Sequence, residues 1–576
     1  MNFNNKKWIE SKWSWIPFLL FLLLANYISS FFHFRSDLTD EKRFTLSTPV
    51  KKLIKNNAGS IKVEVFLKGD LPAAFKGIAS YTDDLLHEFK QSGEQNFQYK
   101  FINPDDQISG SDKTYGDSLK ALNLTPINLK VQLKTGEQSQ FIYPFALVYY
   151  DDKFLPVTLY EGNRSNLNYT EYYKDINSAE AMLEFKFADA INKLTNTVKP
   201  MVGYVVGNGE PTGTNTYDLV ENVLKKNYNL KILDVKVNKV IPDTFKLLMI
   251  VKPTEAFTDS EKLSLDQYII RGGKIIWMID KLNAESDSLQ LKNRVVAFDR
   301  NLNLDDLLFR YGIRINSDLI MDLQCDYLPF NVNGKGQYEF LHWNYFPLFE
   351  SNGNHQVNKN IGLVSGHFVN SIDTVQAEDI TKTILLSSSP NSRTISTPAL
   401  ISSSENRNAP EDAAFKKNHI PVAVLLEGKF TSLYANRLGK PTMDYLFSQG
   451  TPFQTKNISD NKMIVISDGD IPLNNVVKNN PIPMGMNMYT IGTQYEYQFS
   501  NKEFIENCLQ YLINDNGLSE AKSKDYTLRL LDPRKINEER GYLQIMNIII
   551  PVLLVILFGC IYSFWRKKRY TVKSTF

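Results

Sequence analysis

Glu210, Asp280, Asp468 and Asp470 each follow an apolar run that reads as a β-strand. The runs are PMVGYVV before Gly207, Asn208, Gly209 and Glu210, IIWMI before Asp280, and MIVIS before Asp468 and Asp470. Open α/β sheets bind ligands outside the carboxyl ends of their strands, where helix N-termini supply free N–H groups. Carboxylates gathered at such an edge could coordinate a cation or serve as acid and base. The same residue types also do plain structural work there, because Gly forms turns and Asp caps and ends strands. Residue type alone leaves both roles open.

Other chemistry is easier to exclude. The chain has no Gly-x4-Gly-Lys-Ser/Thr loop and so is no conventional ATPase. His87 precedes Glu88, but no second His completes a His-Glu-x-x-His zinc helix, and the 6 histidines form no ligand cluster along the chain. No Gly-x-Ser-x-Gly elbow occurs. The turn Arg271-Gly-Gly-Lys274 reads as a helix C-cap, since a phosphate cradle would need its glycines at a helix N-terminus. Asp83–Asp84, Asp105–Asp106, Asp151–Asp152 and Asp305–Asp306 read as solvated charges. No catalytic residue, metal or cofactor is assigned, and the chain is expected not to be an enzyme.

The fold class these edges imply is α/β. From Ile61 the order is strand (IKVEVFL), helix (Ala73 to Lys90) and strand (FQYKFINP), then a hairpin of LKVQL with FIYPFALVYY. This arrangement has a thioredoxin-like order without a Cys-x-x-Cys. A helix is predicted from Ser178 to Leu194, capped by Asn177 with Glu180. Residues 35–195 are expected to form this first α/β domain. Residues 196–515 read as a doubly wound parallel sheet, with helices near Tyr217 to Lys226, Asp259 to Ile270 and Lys502 to Ile513, the last capped by Ser500 with Glu503. LNLDDLLFRYGIRI reads as a continuation of the same scheme, and 325–412 as a loop-rich insertion. Cys508 reads as a small core residue.

With 576 residues, two or three folded units fit. The net charge of +2 leaves no footprint for nucleic acid. Three cysteines, one within an apolar run, make no disulfide framework. Trp15 to Phe34 and Ile545 to Trp565 are apolar and long enough to cross a hydrocarbon core of roughly 30 Å. The residues after the first run, ANYISSFFHFR, are too bulky for a cleavage site, so it reads as an anchor. Lysines in the tail 1–14 and the basic tail 566–576 place both termini in the cytoplasm. Spans at 15–34 and 544–565, the second after a juxtamembrane segment 516–543, would then hold the body in the periplasm.

Several phrases together resemble one family. LTDEKRFTLSTPVKKLIK, VEVFLKGDLPAAFK, GYVVGNGE, DQYIIRGGKIIWMID, IPMGMNMYT and NKEFIENCLQYLINDNGLSEAKSKDYTLRLLD resemble the GldG family of gliding-motility-associated ABC transporter components of Bacteroidetes-type bacteria. The likeness covers nearly the whole chain in family order and is thinnest from Cys325 to Asp412. It implies an inner-membrane protein with an amidotransferase-like body, working as a substrate-binding or auxiliary subunit beside a GldF-like permease and a GldA-like ATPase. The second residue of the family's GNGE phrase is often His, whereas here it is Asn208, and the turn carries no Cys nucleophile. The expected function is therefore an auxiliary ABC transporter subunit supporting gliding or associated secretion. A periplasmic glycan-, peptide- or anion-binding module, a hydrolase built on assembled carboxylates, and an envelope scaffold remain as alternatives.

Overall fold

The computed structural model describes residues 45–57, 59–93, 96–133, 136–160, 169–196, 198–285, 294–331, 338–351, 355–359, 361–402, 412–514, 517–523 and 533–570, with Leu20, Phe21, Leu23 and Leu24. Apart from those four helical, exposed residues, the first apolar run lies outside the described residues.

Helix α1 (Thr48–Lys55) precedes β1 (Ile61–Val65), α2 (Ala73–Gly93), β2 (Phe97–Phe101) and α3 (Tyr115–Ala121). A hairpin of β3 (Ile127–Leu133) and β4 (Gly136–Ile142) follows, then β5 (Phe145–Tyr150), β6 (Lys153–Thr158) and α4 (Tyr169–Thr195). The sheet order is β2-β1-β5-β6, with β1 parallel to β2 and antiparallel to β5. Phe89 of α2 packs its ring against Phe97 at 5.6 Å and Phe187 of α4 at 6.3 Å, which seats both helices on one face. Two local expectations are corrected. The hairpin partner of β3 is β4, and FALVYY is a separate strand, because Pro144 has no N–H to continue the ladder. Asn177 is no cap, since α4 already runs from Tyr169 and Glu180 is buried inside it.

The larger sheet grows from strands that are apolar on both faces. β7 (Met201–Val206), β8 (Asn229–Asp234), β9 (Leu247–Val251) and β10 (Lys274–Met278) run parallel in the order β8-β7-β9-β10. Alternate residues feed two cores. Tyr204, Met249, Ile276 and Met278 pack with a π-helical segment (Asp218–Leu224) on one side. Val205, Leu248, Ile250 and Trp277 pack with α5 (Asp259–Ile270) and α6 (Asp305–Arg310) on the other. Helix α5 starts at a capping box in which Thr258 and Glu261 bond reciprocally. Replacing Thr258 with Ala is expected to cost about 1 kcal/mol, read as a lower denaturant midpoint.

The stretch expected to be loops is rich in strands. After β11 (Arg294–Ala297), β12 (Ile313–Ile315) and β13 (Asp318–Asp322) come β14 (Cys325–Asn331), β15 (Tyr338–Ser351), β16 (Val364–Ser365), β17 (Ile372–Thr374), β18 (Ile380–Ser387), β19 (Ser392–Ser396) and β20 (Ala399–Ser402). Of these β14, β15 and β18 join the main sheet, with β16 paired to β15, followed by β21 (Pro421–Gly428) and β22 (Asn461–Ile466). The sheet is therefore mixed rather than wholly parallel: β22 is parallel to β10, while β21, β18, β15 and β14 add antiparallel pairs. LNLDDLLFRYGIRI does not extend it either, because β12 pairs with β17 in a ribbon of its own. Polar residues are interspersed along several of these strands, as in ITKTILLS and SRTIS, so their sequence resembles loop.

Helix α7 (Asn501–Ile513) covers the sheet with Phe504, Ile505, Cys508 and Leu512, and Cys508 is fully buried as expected. The predicted Ser500–Glu503 cap does not form; Ser500 Oγ accepts the Gly362 N–H at 3.1 Å instead. Residues up to Asp525 form one unit and Tyr526–Phe576 a second. Within the second, α8 (Pro533–Tyr570) contains one stretch, Arg540–Lys568, long and apolar enough to cross a membrane.

Candidate functional site

Counting parallel strands from β7, the order β8-β7-β9-β10-β22 is 2-1-3-4-5, so the direction of winding switches between β7 and β9. Ligands in such sheets sit in the crevice that this switch opens at the carboxyl edge. Here the turn Gly207–Glu210 fills that position. The Asn208 carbonyl accepts the N–H groups of Thr254 (2.8 Å) and Glu255 (2.9 Å), which follow β9. Its side-chain Nδ2 donates to Ala256 O and to Glu261 Oε2, both at 3.2 Å, tying the turn to the α5 capping box. Gly209, at φ +79, must be glycine: a Cβ there would lie 2.0 Å from Thr254 Oγ1. The Asn208 N–H donates to Glu210 Oε2 at 2.7 Å, whereas Asn208 Oδ1 and Glu210 Oε1 are buried with no hydrogen-bond partner among the described residues. Burial pushes the Glu210 carboxyl up to about 7, against the pull of the N–H groups of Glu210 and Asn208.

Asp280, Asp468 and Asp470 do come together, and two of them, Asp280 and Asp470, meet a cation that the sequence reading did not single out. Lys252, the first residue after β9, places Nζ 2.6 Å from Asp470 Oδ1, 3.0 Å from Glu285 Oε2 and 3.3 Å from Asp280 Oδ2. Arg300 pairs with the other oxygen of Glu285 and donates from Nε to the Leu282 carbonyl. Asp280 Oδ1 accepts the Gly469 N–H, and Asp468 accepts the N–H of Asp470 (2.7 Å) and of His367 (2.9 Å). Among the described residues, no hydrogen bond or ion pair joins this cluster to Gly207–Glu210.

Burial sets the electrostatics. It pushes Asp468, Asp470 and Glu285 upward, and the mutual repulsion of Asp280, Asp468 and Asp470 adds to the effect. Burial opposes the charge on Lys252, yet Asp470, Asp280 and Glu285 outweigh it and hold the ammonium well above its usual range. His367 is driven down to about 4 by burial, with Lys252 adding to the shift, so its imidazole is neutral. One oxygen of each of Asp280, Asp468 and Asp470 lies within 4.8 Å of the others, a donor set that suits a hard cation. The ammonium of Lys252 already stands among two of those three carboxylates. The cluster thus works as an internally neutralised clamp on the ends of β9, β10 and β22.

Close approach of backbone makes the clamp possible. Lys252 has φ +45, and a Cβ on Gly469 would lie 2.6 Å from the Lys252 Cβ and 2.9 Å from its Cα. Gly469→Ala should therefore part the β9 and β22 ends and cost roughly 1–3 kcal/mol, seen as a lowered melting temperature. The sequence reading missed Lys252, Glu285, Arg300 and His367, and for Lys252 the reason is plain. A single lysine after an apolar strand is normally read as an exposed strand end, though its position matches that of Gly207. Asp305 and Asp306 are exposed as expected, and from the surface they also accept the buried ammonium groups of Lys281, at 2.5 Å, and Lys262, at 3.0 Å.

A family model described as an ABC-type uncharacterized transport system matches residues 199–508, which contain the whole main sheet and both parts of its edge. A second, a domain of unknown function (DUF7088), matches residues 40–149. No curated protein matches the chain. Solved structures similar to it include the mmIFT52 N-terminal domain, at 15% identity and TM-score 0.30, covering 55% of this chain and 98% of that one. Another is the exo-beta-1,4-mannosidase Op5Man5 from Opitutaceae bacterium strain TAV5, at 10% identity and TM-score 0.18, covering 74% of this chain and 52% of that one.

Proposed function

The chain belongs to the family of ABC-type transport system auxiliary proteins, and from that premise we propose that it is a non-catalytic, membrane-anchored subunit supporting gliding motility or its associated secretion. Family membership over 199–508 is the observation that carries this reading, and it implies association with ABC permease and ATPase components. Three further features support it. The sequence has no phosphate-binding loop, so ATP hydrolysis falls to another chain. At the sheet edge, Asp280, Asp470 and Glu285 are paired with Lys252, and Glu285 also with Arg300. Arg540–Lys568 offers an apolar anchor closed by basic residues. In this reading both termini lie in the cytoplasm of a bacterial inner membrane, the body lies in the periplasm, and the partners are GldF-like and GldA-like chains. The body passes ATP-driven permease motion to a periplasmic partner or cargo.

Affinity purification of the tagged full-length chain in mild detergent tests this proposal. Recovery together with a polytopic permease and a P-loop ATPase is expected. Recovery of the chain alone under conditions that keep a known transporter complex intact would overturn it. Protease added to spheroplasts should digest the body while sparing cytoplasmic controls.

A further inference from the structure

The last element of the body before α8 is a six-residue 3-10 turn, Leu518–Ser523. It packs against α4 and α1 of the first domain, with Leu518 and Ala521 buried. Its Lys522, 1% exposed, reaches the main-sheet domain as well. There Nζ donates to Asn507 Oδ1 at 2.5 Å and to Gln510 Oε1 at 2.9 Å, both on α7. The same nitrogen stands 4.0 Å from the centre of the Phe185 ring on α4. One side chain thus touches a helix of each domain.

Neutral groups make the direct contacts with that ammonium. Asn507 is oriented by its own Nδ2, which donates to the Val357 carbonyl at 2.9 Å and leaves Oδ1 for Lys522. Two amide oxygens and a ring face meet the three N–H directions of a primary ammonium. Among the described residues no carboxylate forms an ion pair with it. Asp189 and Lys193 act on it from α4 but pair with each other at 2.7 Å, and Glu506 and Cys508 act on it from α7. The lysines of α1, Lys51, Lys52 and Lys55, are exposed. Burial pushes Lys522 down to about 7, with Asp189 and Glu506 opposing the shift and Lys193 adding to it. A buried lysine among neutral acceptors is held less firmly than Lys252, which pairs with three carboxylates.

We propose that Leu518–Ser523 is a releasable strap, which when docked fastens the first domain to the main-sheet domain and when undocked frees this seam. The chain runs from it through residues 524–532 to α8, so a displacement of the apolar helix passes along the chain to the strap before it reaches α7. Docking buries Leu518 and Ala521 but also a lysine, whereas α7 beside it buries Phe504, Ile505, Leu509 and Leu512. The strap is therefore the part of this seam that opens first. A free lysine keeps its proton up to about 10.5 and docked Lys522 only up to about 7. Between those values undocking takes up a proton, so opening rises about tenfold for each unit that pH falls and levels off below 7. That a permease drives the displacement rests on the transport reading; that the strap opens does not.

Hydrogen exchange of the isolated full-length chain in detergent, read by mass spectrometry and corrected for intrinsic rates, tests this. At pH 7 the amides of Leu518–Ser523 are expected to exchange about tenfold faster than those of Phe504–Leu512, or more. Opening of the strap should fall about tenfold from pH 8 to pH 9. Lys522→Met keeps the length of the stem and does not titrate, so it should abolish that dependence. The wild-type comparison stands on its own should the variant fold poorly. Exchange of Leu518–Ser523 in step with α7 at every pH would overturn the strap, as would an unchanged pH dependence in Lys522→Met. No partner takes part in this measurement, so it can fail while co-purification with a permease succeeds, and the reverse.

Discussion

Full-length protein carrying Lys252→Met should lose about 3–5 kcal/mol of stability, measured as a lowered denaturant midpoint at pH 7. The substitution keeps most of the side-chain volume and removes only the charge. It leaves Asp280, Asp470 and Glu285 facing one another in a buried site without the ammonium that approaches all three within 3.3 Å. A buried ion pair can contribute little net stability while the loss of one partner costs much, because the remaining charges stay desolvated. The double variant Lys252→Met with Asp470→Asn should therefore recover part of the loss, since one of the stranded carboxylates is gone. A loss below about 1 kcal/mol for Lys252→Met, the range of surface pairs, would show that solvent reaches these groups and that the edge is no clamp.

Glu210→Gln should act in the opposite direction, stabilising the protein above pH 7 by up to about 3 kcal/mol and leaving it unchanged near pH 4. The folded-state pKa of Glu210 is about 7 against an ordinary 4.5, with burial as the main cause. Between those values the folded protein holds a proton that the unfolded chain has released. Stability contributed by this group is thus complete below about 4.5 and falls as pH rises to 7, at about 1.4 kcal/mol per unit. Above 7 the carboxylate stays charged and buried, with Oε1 unpartnered, whereas an amide carries no such charge. The measurement is the difference between the two proteins' unfolding free energies across pH 4–8, in which every other titrating group cancels. A flat difference would mean that Glu210 is solvated in the folded state.

These two residues mark the boundary of what the chain announces locally. The strands β7, β9, β10 and β22 were legible because a strand buried on both faces must be apolar throughout, and LLMIV or KIIWM can be little else. Helix α5 was legible to the residue, since its GG terminus is a short-range signal; its Thr258–Glu261 capping box is another, which the sequence reading did not use. Equally plausible signals failed at Asn177 and Ser500, where a longer helix or the distant Gly362 N–H claimed the group first. The strands of 325–412 were read as loops, because sequences such as ITKTILLS and SRTIS mix Ser, Thr and charged residues among the apolar ones.

The same division runs through the candidate site. The sequence by itself determined that Gly207–Glu210, Asp280, Asp468 and Asp470 stand at strand ends, and that an apolar helix lies near the C-terminus, since each follows from a run of a few residues. Only the tertiary structure decided that Asp280 and Asp470 pair with Lys252 beside Asp468, while Glu210 stands apart in the α5 network. Lys252 and Asp470 are 218 positions apart, and their pairing depends on β10 lying between their two strands. Charge and burial are properties of the surroundings, and those surroundings exist only once parallel strands, joined by long crossovers, bring their carboxyl ends to one edge.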